Sequence, residues 1–294
     1  MKPQFRDIRD RLRYVGKKRR GYDLSSFPDF MAIGPQRTGT TWLGEQLKFH
    51  PQVFIPWQKE LHYFNNLEYP EFHPKSLPPV DQELGWYLDQ FRIPKDWLRR
   101  RKKDCLRETG RRFDPCAFGD FTATYAAALH EGIIEEILTL NPALKIIVLV
   151  RDPIRRAWSH ANKDLCTQRG RAIEEVPRGE WLEFIRDEYQ VECGKYTTWL
   201  ERWRKFVPAE NLLIQPFRRI KEDPRGLLIR VHEFLGIDAS ETFIGPTAER
   251  RKAGLPEGVD AQATKASDIP DEVRDELEEL FGDEVARLRE QDML

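Results

Sequence analysis

Dense apolar runs alternate with stretches whose apolar residues recur every three or four positions, from Phe30 almost to the C-terminus. FMAI (Phe30 to Ile33) reads as a first strand, GPQRTGTT follows as a loop, and TWLGEQLKFH has the spacing of a helix. Val53 to Ile55 make a second short strand ahead of a polar and aromatic turn, KELHYF (Lys59 to Phe64). Residues 66–118 carry prolines, aromatics and a basic run without a strand period, and read as an irregular helical insertion. Phe121 to Tyr125 reads as a loop after a strand edge. Ile133 to Leu140 has helical spacing until Asn141 and Pro142 end it.

KIIVLV (Lys145 to Val150) is continuously apolar and rich in β-branched residues, the pattern of a parallel strand buried on both faces. Pro153 suits the first position of a helix, Tyr196 to Phe206 is helical, and Asn211 to Ile214 is another buried strand. Asp223 to Leu235 is a helix ended by Gly236, and Pro270 to Glu290 a final amphipathic helix. Strands alternating with helices predict an α/β fold, a doubly wound parallel sheet with helices on its faces. We expect residues 26–294 to form one domain, preceded by a basic arm over residues 1–25.

Composition narrows the function. The 294 residues are 40% hydrophobic and 33% charged, enough for a core and a solvated surface. Lys plus Arg (48) nearly balances Asp plus Glu (49), so the net charge of -1 gives no general attraction to nucleic acid or anionic membranes. No run approaches the roughly 20 apolar residues of a membrane span, and the start of the chain lacks a signal-peptide core. A cytoplasmic protein is expected, with Cys105, Cys116, Cys166 and Cys193 as free thiols and no CxxC metal spacing.

Three segments carry chemistry. GPQRTGTTWL (Gly34 to Leu43) lies between a strand and a helix, where backbone N–H groups and the helix N-terminus converge on an anion. Gly39 permits close approach, Thr40 and Thr41 add hydroxyls, and Arg37 adds a permanent charge. The GxxxxGK sequence of a nucleotide triphosphatase is missing, which argues against magnesium-assisted phosphoryl transfer. In RDPIRRAWSH (Arg151 to His160), Arg151 follows the buried strand and Ser159 comes about two helical turns later. KELHYF offers Glu60 and His62 as proton acceptors.

Taken in order, these motifs resemble the PAPS-dependent sulfotransferases, especially their carbohydrate-modifying and bacterial branch, and GKYTTWL through HEFLGI (Gly194 to Ile237) resembles that family's downstream block. The resemblance implies a P-loop-like three-layer fold with a central parallel sheet, PAPS as donor and PAP as product. It implies that Arg37, Thr38, Gly39, Thr40, Thr41 and Trp42 bind the 5′-phosphosulfate, and Arg151 and Ser159 the 3′-phosphate. Tyr196 joins them, and a covering loop contributes Arg251 and Lys252 from ERRKAG. By the same resemblance Glu60 is the catalytic base, with Lys59, His62 and Arg37 beside it, and no metal takes part.

The chain departs from the family where Arg37 replaces a common Lys, and where GDFTATY has Phe121 and Ala123 in place of Lys and Pro. The implied acceptor is a hydroxyl, with a carbohydrate as first candidate and Trp86 and Trp97 as possible borders of its site. Two rival readings are a nucleotide-dependent kinase using the same loop, and a noncatalytic polyanion binder using the basic arm and Arg99 to Lys103.

Overall fold

A computed structural model describes residues 22–68, 84–248 and 269–294. Most of the expected basic arm, part of the 66–118 insertion, and Arg251 and Lys252 of the expected covering loop lie outside the described residues. In chain order the elements are β1 (Phe30–Gly34), α1 (Thr40–Phe49), β2 (Val53–Phe54), α2 (Tyr63–Glu68), α3 (Leu84–Asp89) and α4 (Lys95–Thr109). Next come β3 (Ala117–Phe121), α5 (Tyr125–Ala128), α6 (Glu131–Leu140), β4 (Lys145–Val150), α7 (Pro153–Asn162), α8 (Arg178–Arg186) and α9 (Glu188–Gly194). The described chain closes with α10 (Tyr196–Arg204), β5 (Leu212–Pro216), α11 (Arg219–Glu222), α12 (Pro224–Leu235) and α13 (Asp271–Glu290).

The strands form one parallel sheet in the order β2-β3-β1-β4-β5. Alternate residues of β1 and β4 enter opposite cores. Met31, Ile33, Ile146, Val148 and Val150 pack with α6 and α10 through Ile133, Ile137, Trp199 and Trp203. Phe30, Ala32, Ile147 and Leu149 pack with α1 and α12 through Trp42, Leu43, Leu227 and Val231. Each fully buried aliphatic or aromatic side chain contributes roughly 1.5–3 kcal/mol. Burial on both faces is why β1 and β4 read as unbroken apolar runs.

Two sequence expectations change. The insertion ends earlier than residue 118, because Ala117 to Phe121 is an interior strand pairing with β1 and β2. Its sequence AFGDF lacks β-branched residues. Gly119 is needed there because the Phe30 ring fills the space where a side chain would stand, 2.2 Å from a Cβ. The expected buried strand at Asn211 to Ile214 is instead the half-buried edge strand β5, Leu212–Pro216. Helices α8 and α9, not anticipated from the pattern, enter different cores: α8 joins α7 and α13 in a third core of Trp158, Trp181, Leu277 and Phe281, and α9 adds Cys193 to the first. Glu284 of α13 accepts hydrogen bonds from Thr197 N (2.7 Å) and Oγ1 (2.8 Å), so the last helix clamps the start of α10.

Candidate active site

Strand β1 delivers the chain to its C-terminal end at Gly34, whose φ of 96° suits a residue without a side chain. Gly34 also lies so close to Ala123 that a Cβ would meet its carbonyl oxygen at 2.1 Å. Arg37 takes a left-handed φ of 70°, and Gly39, at 95°, caps α1 with its carbonyl accepting from Leu43 N at 3.0 Å. The first N–H groups of α1 have no partner within the helix and carry its positive dipole end. A phosphate-sized anion is the natural occupant.

Not every loop side chain faces that position. Thr38 is buried and its hydroxyl donates to Pro35 O at 2.7 Å, tying the loop to itself. Trp42 is buried and donates through Nε1 to Ala248 O at 3.2 Å, so it anchors the segment after α12. Thr41 Oγ1 accepts from Lys59 Nζ at 2.6 Å, while Thr40 Oγ1 is 3.5 Å from the same ammonium.

The second anion motif adjoins the first. Arg151, at the end of β4, donates through a guanidinium nitrogen to Arg37 O at 2.7 Å and lies 4.8 Å from the centre of the Phe217 ring. Its backbone N–H donates to Tyr196 OH at 3.4 Å. Arg37 Nε donates to Ser159 Oγ at 3.0 Å. Beneath them Arg156 is completely buried; one nitrogen donates to Gln190 O at 3.1 Å, and its Nε and a second terminal nitrogen have no partner.

Among the described residues none of Arg37, Arg151 and Arg156 belongs to an ion pair. Burial, aided by Arg37 and Arg156, pulls the Arg151 guanidinium down to about 10, still charged at neutral pH. Burial likewise lowers Arg37, opposed by Asp164 and aided by Arg156. Three guanidinia without an ion pair, offset only in part by Asp164 near Arg37 and Asp152 near Arg151, form a site of excess positive charge, which fits a nucleotide carrying several phosphate or sulfate groups.

The third motif joins the anion loop through Lys59 and Ala123. Glu60 and His62 hold left-handed φ values of 61° and 55°. With Arg37 they are three of the four non-glycine residues at positive φ among the described residues. Such conformations cost about 1–3 kcal/mol each and persist where surrounding bonds enforce them.

Here the bonds come from the segment after β3. Glu60 N donates to Phe121 O at 3.0 Å, Leu61 N to Thr122 Oγ1 at 3.0 Å, and Ala123 N to Glu60 Oε2 at 2.7 Å. Glu60 Oε1 lies 3.4 Å from Lys59 Nζ, and the carboxyl is 27% exposed. Burial raises it above the ordinary glutamate value, while Lys59 and the Ala123 N–H hold the rise back. Burial also lowers Lys59. The His62 ring Nδ1 is 3.1 Å from Thr124 Oγ1 and 3.2 Å from Asn65 Oδ1.

The structure therefore brings Arg37, Arg151, Ser159 and Tyr196 into one cluster, and Lys59, Glu60 and His62 into another. Lys59 joins the second to α1, and Gly34 packs on Ala123. The Thr38 hydroxyl and the Trp42 indole N–H are committed to Pro35 O and Ala248 O. Sequence reading missed Arg156, although its place five residues after Arg151 was a usable signal. It also missed Trp57, which is 56% exposed two positions before Lys59 and held edge-on by Trp97 at 5.5 Å and Phe54 at 6.1 Å. Trp97 thus supports an aromatic surface, whereas Trp86 packs against the core.

Comparison with known proteins finds that residues 27–253 match a family described as the sulfotransferase domain. The chain is 28% identical over 223 residues to the bifunctional heparan sulfate N-deacetylase/N-sulfotransferase 4 of Mus musculus, covering 71% of this chain and 22% of that protein. To the corresponding enzyme 2 of Homo sapiens it is 26% identical over 223 residues, again 71% and 22%. The chain thus spans about a fifth of the length of these relatives. A sulfotransferase from Alicyclobacillus acidocaldarius superposes with a TM-score of 0.64 at 22% identity, covering 90% of this chain and 95% of that one. A mouse sulfotransferase complexed with PAP superposes with a TM-score of 0.50 at 15% identity, covering 92% and 88%. Both share the fold.

Proposed function

Because the chain belongs to the sulfotransferase domain family, matched over residues 27–253, we propose that it moves a sulfuryl group from PAPS to a carbohydrate hydroxyl or amine. The observation that carries this reading is an arginine cluster without ion pairs, joined through the loop and Lys59 to a carboxylate held in place by Ala123 N–H and Lys59. When bound, PAPS supplies the sulfuryl group already activated on a phosphate. Residues Gly39 to Thr41 and the start of α1 would hold its 5′ end, and Arg151 and Ser159 its 3′-phosphate. Their binding energy fixes the reacting centre from a distance.

Glu60 then accepts the acceptor's proton at Oε1, and its raised affinity for a proton suits a base near neutral pH. Arg37 stays cationic throughout and stabilises negative charge on the departing phosphate as a hydrogen-bond donor only. The exposed Trp57 face offers a stacking surface for a sugar ring three residues from the base. The names of the heparan sulfate relatives support a glycan as the acceptor class. We further propose residues 26–294 as one catalytic domain working in the cytoplasm, a reading its four unbridged cysteines suit.

Calorimetry should show PAP binding far more tightly than AMP, and radiolabel from PAPS should pass to an amino-sugar oligosaccharide in the presence of a chelator. Equal binding of PAP and AMP would reject the reading. Magnesium-dependent ATP turnover would favour a kinase in its place.

A further inference from the structure

Asp120 is a buried carboxylate, 1% exposed, that the proposed chemistry leaves unused. It lies in β3 and forms no ion pair among the described residues. Its Oδ1 accepts from Thr122 Oγ1 at 2.6 Å and its Oδ2 from Tyr87 OH at 2.8 Å. Burying a carboxylate without a cation is costly, and short hydroxyl-to-carboxylate bonds are what offset it.

The Thr122 bond has a directional consequence. Because the hydroxyl proton is committed to Asp120, a lone pair of Oγ1 is left for Leu61 N–H, 3.0 Å away. Leu61 is the residue between the two left-handed positions, Glu60 and His62. On the other side Tyr87 stacks on Tyr63 at 4.9 Å and packs edge-on against Phe64 at 5.2 Å, the two residues that follow His62. Phe64 N donates in turn to Tyr125 OH at 3.3 Å. The two oxygens of Asp120 thus reach the middle of the loop and its far end.

Resting on the reading of Glu60 as base, we propose that Asp120 is a positioning residue which, through the Thr122 hydroxyl and Tyr87, holds the Glu60-bearing loop in its reactive conformation. Without it the Thr122 hydroxyl is free to rotate and to turn its proton toward Leu61 N–H. The backbone at Glu60 then loses one of the bonds that enforce its unfavourable φ, and the carboxylate leaves its place relative to Arg37. A displacement of about 1 Å at a reacting group costs on the order of a hundredfold in rate.

The test compares Asp120→Ala, Thr122→Val and Thr122→Ser, each alone and with Glu60→Gln. Asp120→Ala and Thr122→Val should each lower kcat by about tenfold or more while PAP affinity, read by calorimetry, stays within about threefold of the parent. Thr122→Ser, which keeps the hydroxyl, should restore most of the rate. In the Glu60→Gln background neither substitution should lower kcat further, since a group that acts through the base has nothing left to act on. A parental kcat in Asp120→Ala overturns the proposal, as do losses that multiply in the Glu60→Gln background. Should Asp120→Ala fail to fold, Thr122→Val decides by the same criteria. Full activity of Glu60→Gln alone removes the base reading and the relay with it, an outcome distinct from an inactive Glu60→Gln beside a fully active Asp120→Ala.

Discussion

The two halves of the site are built in opposite ways. On the anion side three arginines lie close together without an ion pair among the described residues, and two nitrogens of Arg156 have no partner. On the base side each oxygen of Asp120 has its own donor, Glu60 Oε2 takes the Ala123 N–H with Lys59 near Oε1, and the cost appears instead as left-handed backbone at Glu60 and His62. One half therefore keeps charge in reserve for a ligand. The other keeps geometry in reserve for a reaction, which suits a proton acceptor that must be in place before the acceptor arrives.

The sharpest way to break this contrast is Glu60→Gln. It should lower kcat by roughly 10²–10⁴-fold and leave PAP affinity nearly unchanged, because only the reactive half is touched. Steady-state kinetics beside calorimetry would show it, and parallel losses in both would merge the halves. Arg151→Ala should do the reverse. Charge-assisted bonds are worth about 1.5–3 kcal/mol, so PAP affinity should fall about 10–100-fold and the preference for PAP over AMP should shrink with it.

Gly34→Ala probes the seam between the halves. With φ at 96° and the Ala123 carbonyl in the way, the substitution should cost about 2 kcal/mol or more in denaturant titrations. It should also lower kcat, since the Ala123 N–H holds the base.

Acid titration gives the most diagnostic effect. His160, beside Arg37, is pulled from 6.5 to about 3 by burial and by Arg156, Lys163 and Arg37. The unfolded chain takes up that proton first, so this contribution to stability is full above pH 6.5 and is lost as pH falls toward 3. Asp120 is raised from 3.8 to about 6 by burial, so the folded chain takes up its proton first. Its contribution is present below pH 3.8 and is lost as pH rises to about 6. His160→Gln should flatten the acid decline in unfolding midpoint, and Asp120→Asn should steepen it. Identical profiles for both variants would deny that the halves differ in electrostatic character.

What was legible in the sequence is what is local. KIIVLV reads as a doubly buried strand because every one of its side chains but Lys145 meets a core, and GPQRTGTT reads as an anion loop because its glycines and hydroxyls are neighbours in the chain. β3 was hidden because Gly119 and Asp120 break the strand pattern, each for a partner far away: the ring of Phe30 and the hydroxyl of Tyr87. Thr38 and Trp42 have the chemistry of ligand contacts, yet their side-chain polar atoms are used by Pro35 and Ala248. Residue type announces a capacity for bonding, and only the tertiary fold decides which atom receives it. Asp120 shows the same limit from the other side, since one of its two partners, Tyr87, is far along the chain and its link to Leu61 runs only through Thr122.

The sheet order carries a consequence for the newborn chain. β1 emerges from the ribosome first among the strands, yet it ends between β3 and β4, whose residues are made roughly 85–120 positions later. Until β4 is synthesised the anion loop has no Arg151 to brace it, and an apolar strand must wait with an open edge. Pausing translation between Leu140 and Lys145 should therefore leave a nascent chain that protease digests readily and chaperones hold, whereas a pause beyond β5 should not.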